Sequence, residues 1–319
     1  MIRIICLSLL CLLALPAFLS ADETSPGVPA RFQPAVEYLD ARNGHAFLVY
    51  RNGDLIAESY LNGWSADRAH RLASGTKSFS AALAILAIQD GLLEFDDKVS
   101  DTITEWKNDP RSEITIRQLL SLTSGIDPGP TGRVPSYANA IEADLRNRPG
   151  RHFAYGPVPF QVFGELIRRK LEPQSLSPDE YLTRKVFDPI GMKVDSWRTD
   201  EDGNPHLPSG MFLTAREWAK YGQLICNLGQ HDGKQILDAK LLKECFEPTD
   251  AQSRYGMTFW LNNTGNGPKD LVMAAGAGQQ KLYIIPSLKI VIVQFAEAEG
   301  RRYSEIDFLT RALPPALLP

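Results

Sequence analysis

The sequence predicts a mixed α/β (α+β) fold: an antiparallel sheet flanked by helices, assembled from both chain ends, with an all-helical region inserted between them. Three observations predict it. Near the N-terminus, "HAFLVYRNGDLIAESYL" reads as two β-rich runs joined by Asn52-Gly53, the residue pair that suits a tight hairpin turn. From Ser74 to about Leu213 the pattern is helices and loops. Strand character then returns in "RYGMTFWLNN", "LVMAAGAG", "QKLYIIP" and "KIVIVQFAE", split by Gly, Pro and Asn. Strands at both ends around a helical middle imply one sheet closed by distant segments.

The elements follow in order. A Pro-rich lead-in, "SPGVPARFQP", precedes a helix that runs to about Asp40, and the hairpin comes next. A strongly apolar helix over Phe79 to Ile88 is opened by Ser74 as its expected N-cap and ended by Gly91. "TIRQLLSLTSG" predicts a short amphipathic helix stopped by Gly125, and "PFQVFGELIRRKL" a longer one. "SPDEYLTRKVFDPIGM" adds a helix with a Ser/Asp cap, "TAREWAKYGQLICNLG" one that starts at Thr214 and stops at Gly229, and "DAKLLKECF" another. A C-terminal helix from Tyr303 to Leu313 closes the chain. The expected division is a leader over 1–21, a sheet domain from 22–72 plus 215–319, and a helical domain over 73–214.

Composition narrows the class. The 319 residues are 44% hydrophobic and 23% charged, as in an ordinary globular protein with a sizeable core. Residues 1–21 carry Arg3, a leucine-rich stretch and then small residues, the pattern of a secretory signal cleaved near Ala21. An uncleaved anchor would want a longer apolar run. The expected location is therefore secreted or periplasmic, with no stable membrane insertion once the leader is removed. Net charge is −4, and no basic stripe suggests nucleic-acid binding. Cys226 and Cys245 remain after the leader; in an oxidising compartment they can pair, but both fall on apolar helix faces, where buried thiols are equally expected. The five histidines are scattered without metal-ligand spacing, so neither a metal nor a cofactor is expected.

One local anomaly points to chemistry. A helix N-terminus disfavours a cation, and a capping box wants Glu or Gln three residues after the cap, yet Lys77 stands there. Residues three apart share a face, so its ammonium can reach the Ser74 hydroxyl. At the mouth of an apolar helix, desolvation lowers the lysine pKa, and an amine made neutral can take the serine proton for acyl transfer. Ser-x-x-Lys alone is common by chance; its place before a buried helix gives it weight.

At this point the sequence resembles the serine β-lactamase-like family, which includes class C β-lactamases, DD-peptidases and family VIII-type esterases. The resemblance spans roughly Arg42 to Ala296. It is carried in order by "LASGTKSF", "DDKVSDTITEWKND" with "ITIRQLLSLTSGI", "PGRHFAYGPVPFQVFGELI", "SGMFLTAREWAKYGQLI" and "AAGAGQQKLYIIPSLKIVIV". It implies a β-lactamase/transpeptidase-like fold, with Ser74 as nucleophile and Lys77 as base. Tyr155 of "FAYGP" stands at the tyrosine of the family's Tyr-x-Asn motif and would share the proton transfer. Ala274-Ala275-Gly276 matches the family's strand tripeptide, and the backbone N–H groups of Ser74 and Ala277 would form the oxyanion hole. Gly276 would allow close approach of substrate.

Two departures bear on substrate. Pro157 replaces the motif's Asn, removing a side-chain amide, and Ala274 replaces the usual Lys or His that holds a substrate carboxylate. Arg133, Arg151 and Arg254 are candidate substitutes for that cation, although surface solvation suits each. The expected function is a serine hydrolase forming an acyl-enzyme on a small ester or amide, most esterase-like. Alternatives are a β-lactamase or DD-peptidase, or a catalytically silent binding protein; retention of a costly buried lysine argues against the last. Ser121 and Ser124 read as structural, and Trp64, Trp197, Trp218 and Trp260 as core or pocket wall.

Overall fold

The computed structural model describes residues 27–262, 267–298 and 302–313. The expected signal segment lies outside the described residues. After a Pro29-initiated turn, helix α1 (Gln33–Asp40) leads into β1 (Gly44–Arg51) and β2 (Asp54–Tyr60). Asn52 and Gly53 between them both take positive φ, 53° and 91°, as the two-residue hairpin requires. A short β3 (His70–Arg71) precedes a 3-10 turn over Ala73–Ser78, which runs into α2 (Phe79–Gln89). Helix α2 has no polar face, and every residue from Phe79 to Ala87 is buried. Gly91, at φ 69°, ends it as expected.

The middle of the chain is helical. Helix α3 (Ile116–Leu120) opens on a Thr115/Gln118 capping box. It stops well short of Gly125, because Leu122 turns to φ 59° and breaks the helix first. Helix α4 (Tyr137–Ile141), α5 (Val158–Leu171) and α6 (Pro178–Leu182) follow; α6 has a Ser177/Glu180 capping box and passes into one π turn over Thr183–Phe187. Two short strands, β4 (Ser196–Trp197) and β5 (Met211–Leu213), join β3 in a small sheet of order β3-β5-β4 that sequence patterning does not announce. Two- and three-residue strands are too short to show alternation.

Thr214 caps α7 (Ala215–Cys226), a two-strand ribbon follows in β6 (Gln230–His231) and β7 (Lys234–Gln235), and Asp238 caps α8 (Ala239–Glu244). The "RYGMTFWLNN" run forms only β8 (Trp260–Leu261), since Thr258 at φ 72° interrupts extended backbone before it. Then come β9 (Val272–Gly276), β10 (Gln280–Ile285), β11 (Ile290–Ala296) and α9 (Glu305–Ala312).

The main sheet has six strands in the order β2-β1-β11-β10-β9-β8, and each neighbouring pair is antiparallel. The first hairpin therefore pairs with the last strand, as expected of a sheet built from both chain ends. Both faces are covered. Phe47, Val49, Tyr283 and Ile292 pack under α1 and α9, while Leu48, Leu282, Val291 and Val293 pack toward α7 and α2. Burial on both sides explains why β10 and β11 read as continuous apolar runs. Gly222 lets α7 lie close on this face, since a Cβ there would sit 2.7 Å from Val291 and 2.8 Å from Leu282.

Candidate active site

Ser74 lies where β3, β9 and α2 converge. It does not cap α2: it sits inside the 3-10 turn, whose first residue has Leu72 before it, and no side chain caps that end. The reason is that its hydroxyl is engaged elsewhere. Lys77 Nζ is 3.2 Å from Ser74 Oγ, and the Tyr155 phenol lies near enough to the same hydroxyl for Ser74 to lower the phenol's pKa. In a 3-10 turn residues i and i+3 eclipse, so this backbone aligns Ser74 with Lys77 more directly than an α-helix would. The preceding residue, Ala73, is held at φ 47°, a costly conformation for an L-residue and of a kind that clusters at functional sites.

Lys77 is 3% exposed. Its Nζ donates to the Pro208 carbonyl at 2.9 Å and lies 4.9 Å from the Tyr155 ring centre and 5.4 Å from that of Phe160. Among the described residues no carboxylate forms an ion pair with it. Burial alone pushes its pKa down from 10.5 to about 7. Burial raises the pKa of Tyr155, and the nearby Ser74 hydroxyl partly offsets this. An amine whose proton is held this loosely, 3.2 Å from a hydroxyl, can accept the hydroxyl's proton in its neutral form, and a neutral phenol beside it can donate one.

Tyr155 is wedged by aromatic neighbours, with Trp260 stacked at 5.8 Å and the buried Tyr255 edge-on at 6.3 Å. Of the tryptophans expected in the core or a pocket wall, Trp260 thus backs Tyr155 without bounding the serine cavity, and Trp218 is fully buried. Ser121 and Ser124 are buried, and the Ser121 hydroxyl serves the Arg117 carbonyl and Thr123, a structural use. Strand β9 runs against the serine turn: a Cβ on Gly276 would lie 2.0 Å from the Leu72 carbonyl, so only glycine permits the approach. Ala274 is buried on this strand, Gly276 is half-buried and Ala277 is exposed.

A cavity of about 30 Å³ is bounded by Ser74, Lys77, Tyr155, Pro157, Thr131 and Ser209, among others. Pro157 presents no hydrogen-bonding side chain to Lys77, and the Pro208 carbonyl occupies the amine instead. Arg133, Arg151 and Arg254 are exposed. Arg133 lines a separate cleft of about 490 Å³, bordered also by Asp200, Glu201 and His206, which meets the serine cavity at Val134.

Three contributors escape sequence reasoning. The Pro208 carbonyl is backbone, so no residue type signals it. The Thr131–Val134 loop and Ser209 reach the cavity only through folding. Gln161 offers a faint signal, being with Glu165 one of two polar side chains among the buried residues of α5. Cys226 and Cys245 are both free and buried, which decides the question of pairing; the Cys226 thiol points at the Ile285 and Ile290 carbonyls.

Comparison with known proteins agrees with this architecture. The solved structure of a penicillin-binding protein homologue from Caulobacter crescentus superposes with TM-score 0.72 at 15% identity, covering 89% of this chain and 97% of the other. A family VIII carboxylesterase structure gives 0.70 at 16% identity with the same coverages. Protein flp of Staphylococcus aureus is 28% identical over 193 residues, which is 56% of this chain but only 38% of that relative. The Beta-lactamase family profile matches residues 32–313, nearly the whole chain and every element of the sheet and the serine site. The protein belongs to the Beta-lactamase family.

Proposed function

We propose that the protein is a secreted or periplasmic acyl hydrolase of esterase type. Ser74 is the nucleophile, Lys77 the base, and Tyr155 the group that returns a proton to the leaving oxygen. Ser74 Oγ attacks the acyl carbonyl while its proton passes to Lys77 Nζ. The tetrahedral intermediate is held by the backbone N–H groups of Ser74 and Ala277. Collapse breaks the bond to the leaving alkoxide, which takes its proton through Tyr155, and water then hydrolyses the acyl-enzyme by the same route in reverse.

The observation that carries this reading is the buried lysine, without a counter-ion among the described residues, 3.2 Å from the serine and with the Tyr155 phenol nearby. The preference for esters rests on Pro157 and Ala274. Neither supplies the amide or cation that would grip a peptide carbonyl or a substrate carboxylate. The likeness to a family VIII carboxylesterase is consistent with that choice.

The test is hydrolysis of a short-chain p-nitrophenyl ester by the purified protein, beside Ser74→Ala and a chromogenic cephalosporin. Ester turnover that falls at least about 1000-fold in Ser74→Ala is expected, with the cephalosporin a poor substrate. Equal rates in both proteins would sink the assignment. A cephalosporin preferred over the ester would move it to β-lactam chemistry.

A further inference from the structure

Gln161, on α5, is completely buried, and both ends of its amide are used. Nε2 donates to the Pro135 carbonyl at 2.8 Å, and Oε1 accepts the Leu207 N–H at 3.1 Å. The amide orientation is unambiguous, because a carbonyl can only accept and a backbone N–H can only donate. Pro135 ends the loop whose Thr131, Gly132 and Val134 line the serine cavity. Leu207 precedes Pro208, whose carbonyl holds Lys77 Nζ. The neighbouring Phe160 puts its ring 5.4 Å from the same amine. One side chain thus ties together three walls of the cavity: the start of α5, the 131–135 loop and the 207–209 segment.

We infer that Gln161 is a positioning residue that sets the aim of Lys77 through the Leu207–Pro208 backbone and the closure of the cavity through Pro135. The chemistry requires such a device here. A neutral amine has two hydrogens and one lone pair; fixing one hydrogen on the Pro208 carbonyl sets the rotation of the amine, so that one of its two remaining directions, which the lone pair can occupy, faces Ser74 Oγ. The motif's usual amide, absent at Pro157, would otherwise serve the amine directly. A carbonyl on a loop holds the amine only as firmly as the loop is held, and Gln161 holds it. The inference rests on the proposed roles of Ser74 and Lys77.

The experiment compares the unmodified protein with Gln161→Met, of similar length but without an amide, and Gln161→Asn, which keeps the amide but is one methylene too short to bridge both partners. Two quantities are read: kcat/KM against pH with a p-nitrophenyl ester, and titration of Lys77 by the NMR shift of its Cε carbon, which needs no turnover. The groups around Nζ are the Ser74 hydroxyl, the Tyr155 and Phe160 rings and the Pro208 carbonyl, and burial is what depresses its pKa. Releasing the two walls admits water, so the acidic limb and the Cε titration both move up by about one pH unit. At neutral pH kcat/KM falls about tenfold or more, with Gln161→Asn intermediate. Pro208→Gly, which loosens the same carbonyl, combines with Gln161→Met to give less than the product of the two losses.

A structural role alone would lower the unfolding midpoint and leave the limb and the Cε titration in place; that result overturns the inference, as would losses that multiply. Absence of Ser74-dependent turnover in the unmodified protein would fail the hydrolase reading instead, and the Cε titration would still decide the role of Gln161. If Gln161→Met does not fold, Gln161→Asn and Pro208→Gly carry the same comparison.

Discussion

Two buried charged centres in this protein are built on opposite principles. Glu165, 5% exposed, accepts bidentate bonds from Arg168 at 2.7 and 2.9 Å and another from Arg169 at 2.7 Å, and Arg169 in turn binds Glu105. Burial raises the Glu165 pKa, but the two guanidiniums more than offset it, so the carboxylate stays ionised. Lys77, 3% exposed, has a carbonyl, a hydroxyl and two aromatic rings around it and, among the described residues, no ion-pair partner, and burial wins. The contrast separates two uses of a buried ionisable group: one is paired until it is inert, the other is left unpaired so that its proton is loosely held.

The largest test of that contrast is Lys77→Met. Activity toward the ester should fall about 1000-fold or more, while the folded state should become more stable, because the desolvation cost of the amine disappears. A drop in stability would mean that the lysine is a structural strut after all.

Glu165→Ala should do the reverse, costing about 1.5 kcal/mol in urea unfolding by removing the charge-assisted hydrogen bonds that two arginines share. Its kcat/KM below the unfolding transition should remain close to that of the unmodified protein. A strong loss of activity in the folded variant would erase the distinction between the two centres.

The pH dependence sharpens the comparison further, and its sign follows from proton counting. The folded pKa of Lys77, about 7, lies below the 10.5 of the free side chain. Between those values the unfolded chain binds the proton and the folded one does not, so stability rises with pH across that window. The gap by which Lys77→Met exceeds the unmodified protein should therefore be widest below pH 7 and close toward pH 10.5. For Glu165 the folded pKa is depressed, so its contribution is present above the ordinary carboxylate range and lost as acid is added through the folded value. Unfolding midpoints of the three proteins from about pH 2 to about pH 10.5 would check both trends; a gap that stays constant with pH would contradict a neutral buried amine.

By itself, the sequence determined the elements whose signals are local and periodic. The Asn52-Gly53 hairpin, the wholly apolar α2, the Thr214 cap of α7 and the apolar runs of β10 and β11 are each readable over a few residues. The Ser74–Lys77 pair was legible for the same reason, since one turn of backbone suffices to bring two residues three apart together. Where local cues competed, the reading failed: Leu122 ended α3 before Gly125, and Ser74 looked like a cap although its hydroxyl faces Lys77. Only the tertiary structure decided what surrounds the pair. The Pro208 carbonyl lies 131 positions from Lys77 in sequence, Leu207 lies 46 positions from Gln161, and Gly276 meets the Leu72 carbonyl through sheet closure. These contacts use backbone atoms, which every residue carries, and they form only when segments distant in sequence are brought together by folding. Residue type encodes a propensity; the pKa of Lys77 depends on which atoms exclude water from it, and those atoms are assembled by the fold.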